Sequence, residues 1–303
     1  LKISVIGTLV KDYLLPYSGG EIKSLGGIYF TILHLSAILP ETYKIIPITY
    51  VGNDIYRDFR EFIKLQKNIS SEGLIKYNRR SNSVQLKYIS REERVEFSKN
   101  PSPPIPFKYI KAHLTCDFLI INMISGWDIN YATLQKIRNN FSGKIYLDIH
   151  SYLLGRKRSG ERYYRKPDDF QKWFNLVDYI QFNAKEFNVL NSDNLSLGDF
   201  FKKYCISKEK LINLTLGENG SKSVYWDKDE VKTVVKKADK TINVCDPTGC
   251  GDAFMSGFIF GILSNRGMDR SLELANQVAG INCEYFGAPE MNSLKFKVRK
   301  YFI

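Results

Sequence analysis

Residues 244–263 read VCDPTGCGDAFMSGFIFGIL. Gly249 and Gly251 flank Cys250 directly ahead of an apolar stretch in which Phe254, Phe258 and Ile262 recur at helical spacing, so the glycines fall at a helix N-terminus. The unpaired N–H groups and partial positive charge of such a terminus suit a phosphate, or the charge that develops in phosphoryl transfer. Asp252, in the first turn, has two readings. One is an acid favoured by the helix dipole. The other is a general base that takes the proton of an attacking hydroxyl while neighbouring N–H groups hold the transferred group. By itself a G-x-G ahead of a helix also describes a tight turn. No G-x-x-x-x-G-K-[ST] string occurs, and Phe254 stands where a third glycine would follow, so P-loop and dinucleotide fingerprints are both excluded.

Upstream, short apolar runs recur at Ile3–Ile6, 45–52, 118–125, 145–149, 179–183 and 211–217. They are apolar throughout and separated by helix-length stretches, which predicts parallel strands covered on both faces and an α/β fold. Helices are expected over 27–39, 54–66, 130–139, 184–190, 197–204, 251–263 and 271–286, the first stopped by Pro40. Residues 74–97 alternate apolar with polar, as antiparallel strands with one wet face do, and PSPPIP at 101–106 closes that region. A hairpin around Ser18-Gly19-Gly20 adds to the same flap. One domain over 1–303 is expected, with a lid from about 11–25 and 74–100.

The chain has 303 residues, 44% of them hydrophobic, and a net charge of +12, which calls for an anionic partner without naming it. Cys116, Cys205, Cys245, Cys250 and Cys283 show no CxxC pair, so their spacing encodes neither a disulfide framework nor a zinc cluster and a reducing cytoplasm is expected. No run reaches the ~20 apolar residues of a membrane span, and no export signal is read at the start. His34, His113 and His150 share no ligand spacing, and His34 sits on an apolar helix as a core residue would.

The string Asp246-Pro247-Thr248-Gly249-Cys250-Gly251-Asp252-Ala253-Phe254, with Gly257 beyond it, resembles the D-T-x-G-A-G-D-x-F signature of the PfkB, or ribokinase-like, carbohydrate and nucleoside kinases. Gly26-Gly27, Gly52-x-Asp54, Asn183-x-x-Glu186 and Thr215-Leu216-Gly217-Glu218-Asn219-Gly220 follow that family's motifs in its order, so the resemblance spans nearly the whole chain. It implies a three-layer α/β/α core with a small β-sheet lid and an ATP- and Mg²⁺-dependent transfer of phosphate to a primary alcohol. By the resemblance Asp252 is the base, and the backbone of Gly249, Cys250 and Gly251 is the anion hole, with Cys250 a small packing residue in place of alanine. Asn183 and Glu186 organise Mg²⁺ through water, although the same spacing makes a helix capping box. Thr215, Gly217 and Gly220 form the turn along which ATP lies, and Asn276 stands against adenine. Asp246, Thr248 and Gly287 match a monovalent cation site for K⁺, with a turn as the other reading.

Asp12 resembles the substrate-hydroxyl aspartate, and Gly26 and Gly27 admit the sugar close to the backbone. Val10 and the Phe30-Thr31 pair replace the asparagines of ribokinases, which leaves a sugar, a keto-deoxy acid, a cyclitol or a nucleoside as the acceptor. The basic stretch 148–166 reads as a cationic rim or as a solvated loop. A dimer through the lid sheet is expected, with no nucleic-acid or membrane partner. The alternative from a different class is a basic, non-catalytic nucleic-acid-binding module, which has no need of Asp252 beside a glycine anion hole.

Overall fold

Consecutive residues of the strand Phe118–Asn122 point into two different cores: Phe118 and Ile120 into one, Leu119 and Ile121 into the other. A strand covered on both faces has no wet side, which is why the run is apolar throughout. The structure, a computed structural model, describes residues 1–16, 19–89 and 94–302. Ser18 of the expected hairpin and residues 90–93 of the expected lid lie outside the described residues.

In chain order the strands are β1 (Lys2–Ile6), β2 (Leu9–Leu15), β3 (Ile22–Gly27), β4 (Lys44–Gly52), β5 (Leu74–Tyr77), β6 (Asn82–Tyr88), β7 (Arg94–Lys99) and β8 (Phe118–Asn122). They continue as β9 (Lys144–Asp148), β10 (Leu154–Arg156), β11 (Arg162–Tyr164), β12 (Tyr179–Asn183), β13 (Leu211–Thr215), β14 (Ser221–Asp227) and β15 (Glu230–Lys236). A nine-stranded sheet runs β15-β14-β13-β12-β9-β8-β1-β4-β5, parallel from β13 to β5 and closed at the other edge by the antiparallel pair β14 and β15. Helices Ile28–Ile38, Cys250–Leu263, Gly267–Cys283 and Met291–Phe302 cover one face, through residues such as Phe258, Val278 and Val298. Helices Tyr131–Asn140, Phe170–Leu176 and Leu197–Tyr204 cover the other, through Ile137, Trp173 and Phe200. This is the three-layer α/β arrangement. Among the described residues no helix is long and apolar enough to cross a membrane.

A second sheet of order β3-β2-β6-β7 stands apart from the first. β2 runs antiparallel to β3 but parallel to β6, so the flap is mixed where pure antiparallel pairing was expected. Leu74–Tyr77, assigned to the flap by its alternating pattern, instead pairs in parallel with β4 at the edge of the large sheet. Its neighbouring side chains Leu74 and Ile75 pack on opposite cores, so this short strand is covered on both sides.

The antiparallel helices Cys250–Leu263 and Gly267–Cys283 approach closely because glycines occupy the seam. A Cβ on Gly257 would lie 2.8 Å from the Leu274 carbonyl oxygen, and one on Gly261 2.5 Å from the Ser271 Cα. The start of one helix therefore meets the end of the other, and Cys250 is joined to Cys283 as a disulfide with Cα atoms 6.3 Å apart. The spacing of the cysteines does not announce this pair, whose partners stand 33 residues apart.

Candidate active site

A cavity of about 350 Å³ opens where the carboxyl ends of β8, β9, β12 and β13 face the small sheet. Polar residues stand at or near the carboxyl ends of these strands, and the parallel register lines them up: Asn122 opposite Asp148, Asp148 opposite Gln181, Asn183 opposite Thr215. Ligands of open α/β sheets bind at such strand ends.

Asp252 stands in the first turn of the Cys250–Leu263 helix. Its Oδ1 accepts the Thr31 hydroxyl at 2.6 Å and the Asn122 side-chain amide at 2.6 Å. Two segments distant in the chain thus aim one carboxylate. Burial raises its pKa above the usual carboxylate range, and the hydrogen bonds from Thr31 and Asn122, with the charge of His150, oppose that rise. Gly249, the residue before the helix, has φ of 79°, and a Cβ there would lie 2.2 Å from the Phe30 ring. Phe30 thus packs against the glycine turn as a wall of the cavity. The Cys250 N–H is taken by the Pro247 carbonyl, whereas Gly251, at the helix start, is exposed to the cavity and has no intrahelical acceptor for its N–H.

Asp148 and His150 were not singled out as site residues by the sequence reading, and Gln181 was not singled out either. The Asp148 carboxylate accepts the Gln181 side-chain amide at 3.1 Å and the His150 backbone N–H at 3.2 Å. Gln181 also donates to the Gly251 carbonyl at 2.9 Å, tying the strand ends to the glycine turn. Burial, then the charges of Glu186 and Asp252, raise the Asp148 pKa. Burial opposes charge on His150, but its hydrogen bond and ion pair with Glu186 at 3.2 Å, with Asp148 and Glu96 adding, hold its pKa up at about 9. Their local signal is slight: Asp148 is a polar side chain closing an apolar run, whereas Gln181 is a polar residue inside one.

Asn183 and Glu186 form a full capping box, with Glu186 N–H on Asn183 Oδ1 at 2.9 Å and Asn183 N–H on Glu186 Oε2 at 2.8 Å. Both line the cavity, as do Thr215 and Gly217. Gly220 lies outside it, with φ of 87° and a Cβ position 2.0 Å from the Lys236 carbonyl oxygen, and closes the turn. Asn276 is also outside, accepting from the Ser221 hydroxyl and donating to the Lys236 carbonyl. No three His, Cys, Asp or Glu among the described residues form a direct metal cage. Asp148, Glu186 and Asp252 around one cavity nevertheless suit a hydrated Mg²⁺, which keeps its waters and needs nearby negative charge.

The Asp246 side chain is hydrogen-bonded through both oxygens. Oδ1 accepts from the Tyr88 hydroxyl and from the backbone and hydroxyl of Thr248, and Oδ2 from the Gly287 N–H. Gly287 offers Asp246 its N–H, and the trio is a turn braced against the small sheet.

Gly26 serves Asp12. A Cβ at Gly26 would stand 1.7 Å from the Asp12 Oδ2, so only glycine leaves room for that carboxylate on the neighbouring strand. Asp12 and Gly27 line the cavity with Val10, Val84, Leu86, Ile124 and Glu96, the last again unforeseen.

The profile of the pfkB family carbohydrate kinases matches residues 156–294. The ribokinase of Lactococcus lactis is 31% identical over 140 residues, 45% of this chain and 43% of the ribokinase, so the matched part spans under half of that relative. A protein of Pyrococcus horikoshii named "Putative sugar kinase PH1459" is 38% identical over 252 residues, 80% of this chain and 75% of that one. Among solved structures, a pyrophosphate-dependent kinase in the ribokinase family shares the fold with a TM-score of 0.77 at 15% identity, covering 96% of this chain and 99% of the other.

Proposed function

Because the chain belongs to the pfkB family of carbohydrate kinases, we propose that it transfers the terminal phosphoryl group of ATP to a hydroxyl of a sugar or sugar-like small molecule. The observation that carries this reading is Asp252, held by Thr31 and Asn122 beside the exposed Gly251 backbone. In this reading the acceptor hydroxyl gives its proton to Asp252 as its oxygen forms the bond to phosphorus and the bond to the ADP oxygen breaks. The N–H groups of Gly249 and Gly251 receive the charge of the transferred group, and the raised pKa of Asp252 makes it a better proton acceptor than a surface carboxylate. Glu186 and Asp148 would hold Mg²⁺ through its waters; when bound, the ion offsets donor charge in a cavity that is already acidic. Thr215 and Gly217 lie along the path of the nucleotide, and the small sheet closes over the acceptor and excludes water.

The test is acceptor-dependent ADP release with Mg²⁺ across ribose, ketohexoses, 2-keto-3-deoxygluconate, inositol and nucleosides, repeated with pyrophosphate as donor. Turnover of a nucleoside alone would favour the nucleoside-kinase reading. Absence of transfer from either donor, together with salt-sensitive retention of DNA or RNA, would favour the nucleic-acid-binding reading.

A further inference from the structure

A second cavity, of about 640 Å³, shares no lining residue with the first. Its walls are Tyr77, Arg79, Trp127, Arg156 and the PSPP segment at 101–104, with no carboxylate among them. Rings and prolines with a few charged groups make the lining of a small-molecule site.

The cations gathered here lack counter-charges. Arg156 spends Nε and Nη2 on the Ser98 carbonyl, at 3.2 and 3.1 Å, and neither it nor the exposed Arg79 has an ion pair among the described residues. Arg162 stands against the Trp127 ring, 5.0 Å from its centroid, and is only 8% exposed. Its Nη2 reaches the carbonyls of Ser151 and Leu154, while its Nε has no partner among the described residues. Asp128 and Glu96 act on Arg162 electrostatically without an ion pair, and the oxygens of Asp128 are taken by Thr8, Ser125 and Gly126. A buried charge is costly unless an opposite charge comes near. An anion in this cavity supplies one.

The rings are fixed before a ligand arrives. The Trp127 indole N–H is spent on the Ser102 carbonyl at 3.0 Å, so the residue offers its apolar ring. Tyr77 is held in the edge strand β5, opposite Gly52. Arg79 and Pro101 flank the Asn82 and Lys99 end of the small sheet, whereas Leu15, Tyr88 and Arg94, the strand ends nearest residues 17–18 and 90–93, pair at its other end.

We propose that this cavity is a second ligand site, separate from the catalytic one, that takes a nucleoside phosphate. Arg79 and Arg156 hold the phosphate, for which the guanidinium fork is suited, and Trp127 and Tyr77 pack against the base. The basic stretch at 148–166 thereby acquires a role through Arg156 and Arg162. The proposal does not depend on the kinase reading.

The experiment follows the tryptophan emission of the full chain during titration with AMP, adenosine, ribose 5-phosphate and inorganic phosphate. Of the three tryptophans, Trp127 lines this cavity and none lines the catalytic one, so its emission reports here whether or not phosphate is transferred. AMP is expected to change the emission and to bind about tenfold or more tightly than any of the other three, because it alone engages both rings and arginines. Arg79→Glu should raise the Kd for AMP about tenfold or more, Arg156→Gln should also weaken it, and Trp127→Phe should remove the signal. Adenosine or ribose 5-phosphate binding as well as AMP overturns the assignment, as does an unchanged Kd in folded Arg79→Glu or a signal that persists in Trp127→Phe. Affinity for oligoadenylate that climbs with its length would give this surface to single-stranded nucleic acid and overturn it too. Should Arg156→Gln fail to fold for want of its hold on Ser98, the exposed Arg79→Glu and the ligand comparison on the unaltered protein decide.

Discussion

The side-chain amide of Asn122 lies 2.6 Å from Oδ1 of Asp252, a contact across 130 positions of the chain. It stabilises the ionised carboxylate that burial disfavours. Asp252→Asn is expected to lower kcat by about 10²–10⁴-fold with nucleotide binding retained. Turnover left intact while ATP still binds would defeat the role given to Asp252.

Removing the Asn122 amide shifts the balance further. The acid limb of kcat/KM reports the base, which works only when deprotonated, so activity is lost as pH falls through its raised pKa. Asn122→Leu takes away a hydrogen bond that lowers that pKa, so the limb should move to higher pH. A pH–rate profile of the two proteins checks the direction, and a limb moved to lower pH would contradict it.

Gly26 and Asp12 make a second long-range fit, with the Cβ position of one 1.7 Å from Oδ2 of the other. Gly26→Ala must displace the carboxylate or the strand, at about 1–3 kcal/mol of overpacking. The acceptor KM should rise about tenfold or more while ATP affinity stays near its original value. Calorimetric titration with nucleotide and steady-state kinetics with acceptor separate the two.

The Cys250–Cys283 bond ties two helix ends across 33 residues. The three other cysteines, Cys116, Cys205 and Cys245, are free. Denatured protein should thus expose three thiols before reduction and five after, from the five cysteines of the chain. Closing a loop of this size contributes about 2–4 kcal/mol, so reductant should lower the urea midpoint and have little effect on Cys283→Ser.

His34 is fully buried on the Ile28–Ile38 helix, its Nδ1 2.7 Å from the Phe30 carbonyl. Burial holds its pKa down at about 4, against an ordinary value of 6.5. The unfolded chain therefore binds the proton more readily, and this contribution to stability is full above pH 6.5 and fades as pH falls toward 4. It amounts to about 3 kcal/mol. Denaturant melts of the protein and of His34→Leu across that window should diverge in slope, with the variant the flatter.

Local patterns carried much of this. Strands such as the one over 118–121 were legible because residues covered on both faces must be apolar at successive positions. The capping box was legible because its two partners stand three residues apart, and the glycine turn because a helix pattern begins immediately after it. The edge strands β14 and β15, the C-terminal helix Met291–Phe302 and the membership of Leu74–Tyr77 in the large sheet were not, since edge pairing is chosen by neighbours remote in the chain.

The sequence by itself determined the α/β class and the helix start that bears Asp252, for both follow from periodicity and turn chemistry within a few residues. Only the tertiary structure decided that Thr31 and Asn122 hold Asp252, that Gly26 makes room for Asp12, that Asp246 braces a turn, that Cys250 meets Cys283 and that Glu96 faces the cavity. Those contacts join residues of different elements, and their geometry is set by packing of sheet and helices, on which sequence spacing is silent.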